Sequence, residues 1–270
     1  MIGQKALKDT LTRELADGTL ARFIIIQGPK GSGKKTLIKE VFDGIYLEDN
    51  KIDSVRRMIE MANKVSGRTF VIADCDNMSS SAKSSLLKVL EECPNDNRFI
   101  LTVEDVSTMY SAIRSRAQLY KMGIYTKKEL TEYVHMKYSD IEDVEFIVST
   151  GQTPGDIDIL ASYDIAEFKK FVHSVVDNIA EVSGANAFKI ADRLSVKDGD
   201  GKYDIKMFLK VFGAECIKGV VDNQLDSYEV LKYGKGCGIC SKYIQQLSVS
   251  GINKQFLIDS WILEIRKEWM

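Results

Sequence analysis

Residues 23–39, which read FIIIQGPKGSGKKTLIK, have the residue types and spacing of a loop that binds nucleotide phosphates. Gly28, Gly31 and Gly33 let backbone N–H groups approach an anion closely, because glycine carries no side chain to obstruct it. Lys34 would supply a mobile cation for the outer phosphates. The residues predicted to form this phosphate site are Gly28, Gly31, Ser32, Gly33, Lys34, Lys35 and Thr36. The alternative is a glycine-rich turn that holds no ligand.

One position departs from the complete phosphate-loop pattern. The pattern has Ser or Thr directly after the lysine, because that hydroxyl binds Mg²⁺, whereas this chain has Lys35. An ammonium group only donates hydrogen bonds and cannot ligate a metal. Thr36 follows, but one residue turns a helix by about 100°, so its hydroxyl points elsewhere. We therefore expect ATP or ADP in this loop without a complete Mg²⁺ site, and we hypothesise that the charge of Lys35 partly replaces that of the metal.

A phosphate loop needs a strand before it and a helix after it, and the flanking residues predict both. An apolar run ends at Gln27, and an amphipathic run begins near Lys34. Further short, mostly apolar runs at 69–73 and 98–102 are typical of buried parallel strands, and 118–122 is predicted to be a final strand. Helical segments separate these runs. The alternation predicts an α/β fold with a parallel sheet up to Met122.

From Thr126 onward the pattern predicts helices only. Thr126 and Glu129 have the spacing of a capping box at the start of the first of them. Breaks are predicted at 183–184, at 198–201 and at 250–251. Cys237 and Cys240 have the spacing of a redox or zinc motif, but no second pair accompanies them, so we interpret them as two thiols on a loop or helix.

Composition limits the classes of protein and of partner. The 270 residues suit two or three modest domains, and 37 Lys+Arg against 39 Asp+Glu give a net charge of −2. Any contact with nucleic acid must therefore be local rather than spread over a basic surface. There is no signal pattern and no long apolar run, so we predict a cytoplasmic protein with no membrane partner.

Two stretches beyond the phosphate loop resemble clamp-loader AAA+ proteins. Residues 74–78, DCDNM, and 81–92, SAKSSLLKVLEE, are similar to the stretch that follows the Walker B strand in that family. The runs FILT at 99–102 and IRSR at 113–116 also match, as does the opening Ile2-Gly3-Gln4. Within the family the chain most resembles the delta-prime subunits of bacterial DNA polymerase III, or a phage counterpart.

The resemblance implies an AAA+ P-loop core at 1–122, a small helical lid at 123–182 and an all-α collar domain at 183–270. Family members form a heteropentamer with ATP at the subunit interfaces, and they load a sliding clamp onto primer–template DNA. Many relatives carry a four-cysteine zinc module between the P-loop helix and the Walker B strand. This chain has no cysteine there, so we predict no zinc and no other resident metal.

The acidic pair of the Walker B motif is incomplete in either possible register. In one register Ala73 takes the place of the metal-binding aspartate and Asp74 that of the catalytic glutamate. In the other, Asp74 is the metal residue and Cys75 stands at the position of the base. Thr102 or Val103 falls at the polar sensor position. The motif at 151–156 lacks the basic second sensor, so we predict that the chain hydrolyses ATP poorly or not at all.

Arg116 follows Ser115 where the family's Ser-Arg-Cys motif places an arginine finger, which reaches into the active site of a neighbouring subunit. Such a guanidinium stabilises transition-state charge and is worth roughly 10³–10⁵ in rate. The alternatives are a surface salt bridge at Arg116, or Arg114 as the reaching residue. For DNA, the helix start at 79–81 with Lys83 could contact a phosphate, although an ordinary capped and solvated helix accounts for the pattern equally well.

These observations predict a largely ATPase-silent clamp-loader subunit that serves a neighbour's active site. Two other classes of protein stay open at this point. One is a self-sufficient AAA+ ATPase, such as a helicase loader or a hydrolysing clamp-loader subunit. The other is a nucleotide-responsive scaffold with no role on DNA.

Overall fold

The structure, a computed structural model, describes residues 2–141, 143–195, 202–222, 227–247 and 252–270. The chain groups into two compact units, and each is described by itself below. The first unit comprises Met1–Lys137 with Gln152–Gly155, and the second comprises Tyr138–Gly151 with Asp156–Met270. The three-part division predicted at 122 and 182 stays a prediction.

A five-stranded sheet forms the centre of the first unit, and every neighbouring pair of its strands is parallel, as predicted. The strand order is β2-β3-β4-β1-β5. The strands are β1 (Phe23–Gln27), β2 (Gly44–Tyr46), β3 (Thr69–Ile72), β4 (Arg98–Val103) and β5 (Gln118–Lys121). The edge strand β2 was not predicted, because its three residues are too few to produce a periodic signal.

Helices cover both faces of this sheet. They are α1 (Lys5–Ala16), α2 (Lys34–Val41), α3 (Ile52–Ala62), α4 (Ser80–Glu92), α5 (Ser111–Arg114) and α6 (Lys127–Lys137). Because side chains alternate along a strand, Ile25 packs into one apolar cluster with α3 and α4, whereas Ile24 and Ile26 pack into the other with α1 and α2. All three isoleucines are completely buried. Strand β1 is therefore apolar on both faces, as a parallel strand covered by helices requires.

The topology brings three loops to one edge of the sheet. Strand β1 lies directly beside β4, and β4 lies beside β3. Since these strands are parallel, their carboxyl ends share an edge, which is where ligands bind in open α/β sheets. The glycine-rich loop follows β1, and Asp74 follows β3 within two residues.

The second unit is helical, as predicted, apart from one short pair of strands. Its helices are α7 (Val144–Thr150), α8 (Pro154–Ala161, which begins in the first unit), α9 (Ile165–Asn178), α10 (Gly184–Ala187), α11 (Ile205–Asp222), α12 (Ser227–Leu247) and α13 (Lys254–Trp269). Strands β6 (Leu194–Ser195) and β7 (Tyr203–Asp204) pair in parallel. Two residues per strand give no alternation that the sequence could reveal. The predicted breaks at 198–201 and 250–251 lie outside the described residues.

Three details of the helical half differ from the predictions or refine them. Between the predicted breaks at 183–184 and 198–201, where helix was expected, the chain forms the short α10 followed by a 3₁₀ segment, Phe188–Arg193. Helix α12 is continuous through Gly234, and it carries both Cys237 and Cys240. The capping box is confirmed, because Glu129 N–H donates to Thr126 Oγ1 (3.2 Å) and Thr126 N–H donates to Glu129 Oε2 (2.8 Å).

Aromatic rings fill the core of the second unit. Trp261 on α13 is completely buried and meets Phe208 and Phe212 of α11 edge to face, with ring centroids 5.3 and 5.0 Å apart. No helix in the described part of the chain combines the length and the apolar character needed to cross a membrane.

Asn97 fixes the chain just before β4. It is completely buried, and its Nδ2 donates to the carbonyl oxygens of Ala62 (2.7 Å) and Val65 (2.9 Å). Its Oδ1 accepts from the N–H of Arg68 at 2.9 Å. One side chain thus satisfies the carbonyl of Val65 and the N–H of Arg68, and it reinforces the carbonyl of Ala62, which also accepts from Asn95 Nδ2 at 3.2 Å.

We predict that Asn97→Ala destabilises the protein by about 2 kcal/mol or more, because each buried backbone group left without a partner costs about 1–3 kcal/mol. Urea unfolding measures the change. The matched control is Asn63→Ala, since Asn63 lies just beyond the same helix with an exposed side chain. Equal stabilities of the two variants would contradict the role given to Asn97.

Candidate functional site

The loop between β1 and α2 has the backbone shape that its glycines predicted. Gly31 and Gly33 adopt left-handed conformations with φ of 78° and 85°, which favour glycine. At Gly28 an added Cβ would lie 2.6 Å from Met122 Cγ and 2.9 Å from Ser32 Oγ, so no larger residue fits there. Helix α2 begins at Lys34 with no side chain capping its first N–H groups. Those N–H groups are the donors that a phosphate would take.

Lys34 lies inside this loop. The residue is buried, and its Nζ donates to the carbonyl oxygens of Gly28 (2.6 Å) and Pro29 (3.0 Å). Burial lowers the pKa of Lys34, against the opposing charges of Glu104, Asp74 and Asp76. The ammonium group is therefore held by the loop's own carbonyls, and a bound phosphate would give it a stronger, charged acceptor.

Two polar atoms at the base of the loop lack a partner within the described residues. They are the hydroxyl oxygen of Ser32, which is only 1% exposed, and the side-chain oxygen of Gln27. The carbonyl of Ser32 is satisfied, because it accepts from the Tyr125 hydroxyl at 2.8 Å. Burial raises the pKa of Tyr125 to about 12, so this hydroxyl keeps its proton. A buried hydroxyl without a partner is costly, and a phosphate oxygen would satisfy that of Ser32.

Lys35 and Asp74, the two positions that depart from the ATPase pattern, are paired with each other. The Nζ of Lys35 lies 2.7 Å from Oδ2 of Asp74, and the two side chains are 55% and 45% exposed. The ammonium group of Lys35 thus forms an ion pair with this carboxylate, at the place where a metal would need it free. Thr36 is exposed on the same helix, and none of the hydrogen bonds described for the site involves its hydroxyl.

The backbone holds Asp74 in an unusual conformation. Its φ and ψ are 55° and 47°, the left-handed region that non-glycine residues seldom adopt. The N–H of Asp74 donates to Thr102 Oγ1 at 2.9 Å, and its carbonyl accepts from Asn50 Nδ2 at 3.1 Å. Neighbouring elements therefore fix this residue from both sides.

The other candidates near Asp74 are engaged elsewhere. Cys75 is a completely buried thiol whose pKa is raised by burial, so it is a poor base. The carboxylate of Asp76 accepts from the N–H of Glu104 (2.8 Å) and from the Thr108 hydroxyl (3.0 Å), which organises the turn after β4. At the sensor position, Val103 is buried and apolar, and the Thr102 hydroxyl is used to hold Asp74.

The turn Gln152–Gly155, which belongs to the first unit, packs against the phosphate loop. The N–H of Gly155 donates to the carbonyl of Gly31 at 3.0 Å. A Cβ added to Gly155 would lie 2.5 Å from Gly31 Cα, and one added to Gly31 would lie 2.8 Å from Gly155 Cα. Glycine is therefore required on both sides of this contact. No basic residue occurs in the turn, consistent with the missing second sensor.

Arg116 makes its contacts away from the phosphate loop. Its Nη2 lies 2.9 Å from Glu91 Oε1, and its Nη1 donates to the carbonyl of Ala112 at 2.9 Å. Both charged side chains are partly exposed, so their pairing is worth about 0.2–1 kcal/mol and is readily exchanged for another anion. For Arg114, no ion pair occurs among the residues that the structure describes.

The residues predicted to contact DNA at the start of α4 make their hydrogen bonds within the protein. Ser79 caps the helix by accepting from the N–H of Ala82 at 3.2 Å. Lys83, however, is buried, and its Nζ points inward to the carbonyls of Thr108 (3.1 Å) and Asp76 (3.4 Å). Its ammonium group is thus committed to the protein interior and is not displayed to a DNA phosphate.

The residues present fit a phosphate group but do not fit Mg²⁺. The glycine backbone, the open start of α2 and the unpartnered Ser32 hydroxyl suit an anion. A magnesium ion would lack the hydroxyl ligand and would meet the ammonium of Lys35 on its remaining carboxylate. Within the described ranges, no three His, Cys, Asp or Glu side chains converge as a metal site.

Sequence reasoning missed the residues that position this site. Asn50 was expected only to be part of a polar loop, and Thr102 was considered only as a sensor. Neither role has a sequence signal, because each depends on strands that are distant in the chain and adjacent in the sheet. Gly31 and Gly155 each belong to a recognised motif, but nothing in the sequence indicates that the two residues are in contact.

Comparison with known proteins agrees with the resemblance. A family model described as DNA polymerase III, delta subunit, matches residues 47–124. A replication factor C small subunit from Sulfolobus acidocaldarius is 22% identical over 165 residues, which cover 54% of this chain and 50% of the relative. A DNA polymerase III subunit gamma from Buchnera aphidicola (subspecies Schizaphis graminum) is 22% identical over 170 residues, covering 50% of this chain and 47% of the relative.

Among solved structures, a DNA polymerase III gamma subunit-related protein from Thermotoga maritima superposes with a TM-score of 0.52. Its sequence identity is 14%, and the match covers 97% of this chain and 99% of the other. At this identity the likeness concerns the fold alone, and it agrees with the α/β core followed by helices that was predicted from the sequence. This chain spans about half the length of the first two curated relatives that it matches.

We predict that Gly155→Ala lowers the melting temperature, because the new Cβ cannot fit against Gly31 without moving backbone atoms. Such overpacking costs about 1–3 kcal/mol. The control is Gly234→Ala, at a helical position with open space around the new Cβ, where the melting temperature should be unchanged or higher. An unaltered melting temperature in Gly155→Ala, measured by calorimetry, would contradict the close packing of the turn on the loop.

Proposed function

We propose that this chain, which is similar to clamp-loader AAA+ proteins over part of its length, is a clamp-loader subunit of the delta-prime type, helping to place a sliding clamp on primer–template DNA. The observation that carries this proposal is the match of residues 47–124 to the DNA polymerase III delta-subunit family model. That stretch contains α3, β3, Asp74, α4 and Arg116. The remainder of the proposal concerns what these residues do in an assembly.

The chain hydrolyses ATP poorly or not at all under this proposal. Phosphoryl transfer needs a bound metal, a positioned water and compensation of charge on the moving phosphoryl group. Here the hydroxyl ligand is replaced by Lys35, and Asp74 is paired with that lysine. The neighbouring Cys75 is a buried thiol that cannot polarise water. The glycines and Lys34 still suit binding of ATP or ADP.

Arg116 serves the active site of an adjacent subunit in this proposal. Its guanidinium lies on a partly exposed surface, held by Glu91 and by the carbonyl of Ala112. Because this exposed ion pair is weak, the guanidinium can leave Glu91 for a phosphate. A phosphate is a stronger partner, since it accepts two N–H groups of the guanidinium at once. A subunit without its own hydrolysis would thereby still contribute to hydrolysis in the complex.

The proposed partners are the other subunits of a heteropentamer, the sliding clamp and primer–template DNA, in the cytoplasm. Co-purification tests them directly: the tagged full chain is expressed in its native host, and the recovered proteins are identified by mass spectrometry. We expect clamp-loader subunits in stoichiometric amounts. Recovery of none of them, with the chain folded, would favour a scaffold with no DNA role, and recovery of a replicative helicase would favour a helicase loader.

We predict that Arg116→Ala lowers the DNA-stimulated ATPase rate of the assembled complex at least tenfold, because the transition state loses a compensating charge. Assembly, measured by size-exclusion chromatography, should be unchanged, since the Glu91 pair is exposed and contributes little stability. Arg114→Ala is the matched control and should retain the full rate. If the Arg114 variant loses the rate and the Arg116 variant keeps it, the finger is Arg114.

A further inference from the structure

The ion pair between Lys35 and Asp74 sits at the entrance to the phosphate loop. The 2.7 Å separation of Nζ and Oδ2 joins the first turn of α2 to the end of β3. In the complete pattern, the residue at position 35 provides a hydroxyl to Mg²⁺. In this chain an ammonium group stands at that position and contacts Asp74 instead.

The geometry of Asp74 is built for this contact. A left-handed backbone conformation costs free energy and persists only where its surroundings enforce it. Here Thr102 Oγ1 holds the N–H of Asp74, and Asn50 Nδ2 holds both its carbonyl (3.1 Å) and that of Ala73 (3.0 Å). Three hydrogen bonds from two neighbouring segments thus fix the backbone that carries this carboxylate beside the ammonium group of Lys35.

Two consecutive lysines favour an anion in the loop, while the carboxylates of Asp74, Asp76 and Glu104 lie close enough to act on the charge of Lys34. Lys34 and Lys35 are consecutive, and Lys34 is already buried among the carbonyls of Gly28 and Pro29. A magnesium ion would have to displace the ammonium of Lys35 from Asp74 and would then find no hydroxyl at position 35. A polyphosphate has no such obstacle, because the ammonium group can contact phosphate oxygens while it remains beside the carboxylate.

We propose that Lys35 is an internal cation in place of the catalytic metal, so that this loop binds nucleoside polyphosphates without a divalent ion and keeps Mg²⁺ from Asp74. This inference rests on the proposed nucleotide site and deepens it by defining the ligand as the metal-free nucleotide. It would also explain how the chain could bind nucleotide without hydrolysing it, since an ammonium group supplies positive charge but no coordinated water.

In the test, the full chain is titrated with ADP and with ATP, and binding is measured by isothermal titration calorimetry. Each titration is run once in about 5 mM Mg²⁺ and once in EDTA at about the same concentration. We expect dissociation constants that agree within about threefold between the two conditions. Wild-type affinity that falls more than tenfold in EDTA would overturn the inference. Absence of nucleotide binding under both conditions would overturn it as well.

A gain-of-function variant makes the test sharper. Lys35→Thr restores the hydroxyl and frees Asp74, so its affinity in EDTA should fall at least tenfold while Mg²⁺ restores it. Bound Mn²⁺ in the presence of ADP, detected by electron paramagnetic resonance, should appear in this variant and not in the wild type. Lys39→Thr is the matched control, because Lys39 is an exposed lysine of the same helix whose ammonium lies over the Tyr46 ring.

The outcomes separate this inference from the proposed function. If the chain co-purifies with clamp-loader subunits but binds nucleotide only with Mg²⁺, the subunit role stands and the internal cation is wrong. If Lys35→Thr behaves as the wild type does in both conditions, with an unchanged melting temperature, Lys35 has no role in replacing the metal.

Discussion

A lysine and an aspartate, brought together at one edge of a parallel sheet, form the interaction that sets the chemistry of this site. Exposed ion pairs of this kind contribute little to stability, about 0–1 kcal/mol, so the pairing of Lys35 with Asp74 is not explained by folding. Its importance lies in where the charges are. The carboxylate at the end of β3 is neutralised by a lysine of the same chain, at the opening of a loop shaped for phosphate.

The sheet makes this arrangement possible. Strands β1, β4 and β3 are neighbours, so the phosphate loop, Thr102 and Asp74 reach the same edge of the sheet. They do so although some 70 residues separate the loop from Thr102 in the sequence. Complete burial of Ile24, Ile25 and Ile26 on the two faces holds β1 in the middle of this layer. The turn at 152–155 then packs on the loop through glycines that no other residue could replace. The packing that stabilises the fold therefore also positions the residues of the site.

Much of the fold could be predicted from the sequence, because long buried strands and periodic helices leave clear patterns. The strands at 69–72, 98–103 and 118–121 and the capping box of α6 were predicted nearly to the residue. Short elements were not: β2 and the β6–β7 pair are two or three residues long. At the site, the residue types of Lys35 and Asp74 were informative, but their contact, and the support from Asn50 and Thr102, depend on three-dimensional neighbours.

We propose a subunit that retains a phosphate loop and lacks the groups needed to hydrolyse its nucleotide. It acts on a neighbouring subunit through Arg116. The most direct test of this account is steady-state hydrolysis of radiolabelled ATP by the isolated full chain in Mg²⁺. The account predicts phosphate release no faster than in a buffer blank, and no difference between the wild type and Lys34→Ala. Sustained turnover by the isolated chain that Lys34→Ala abolishes would contradict it.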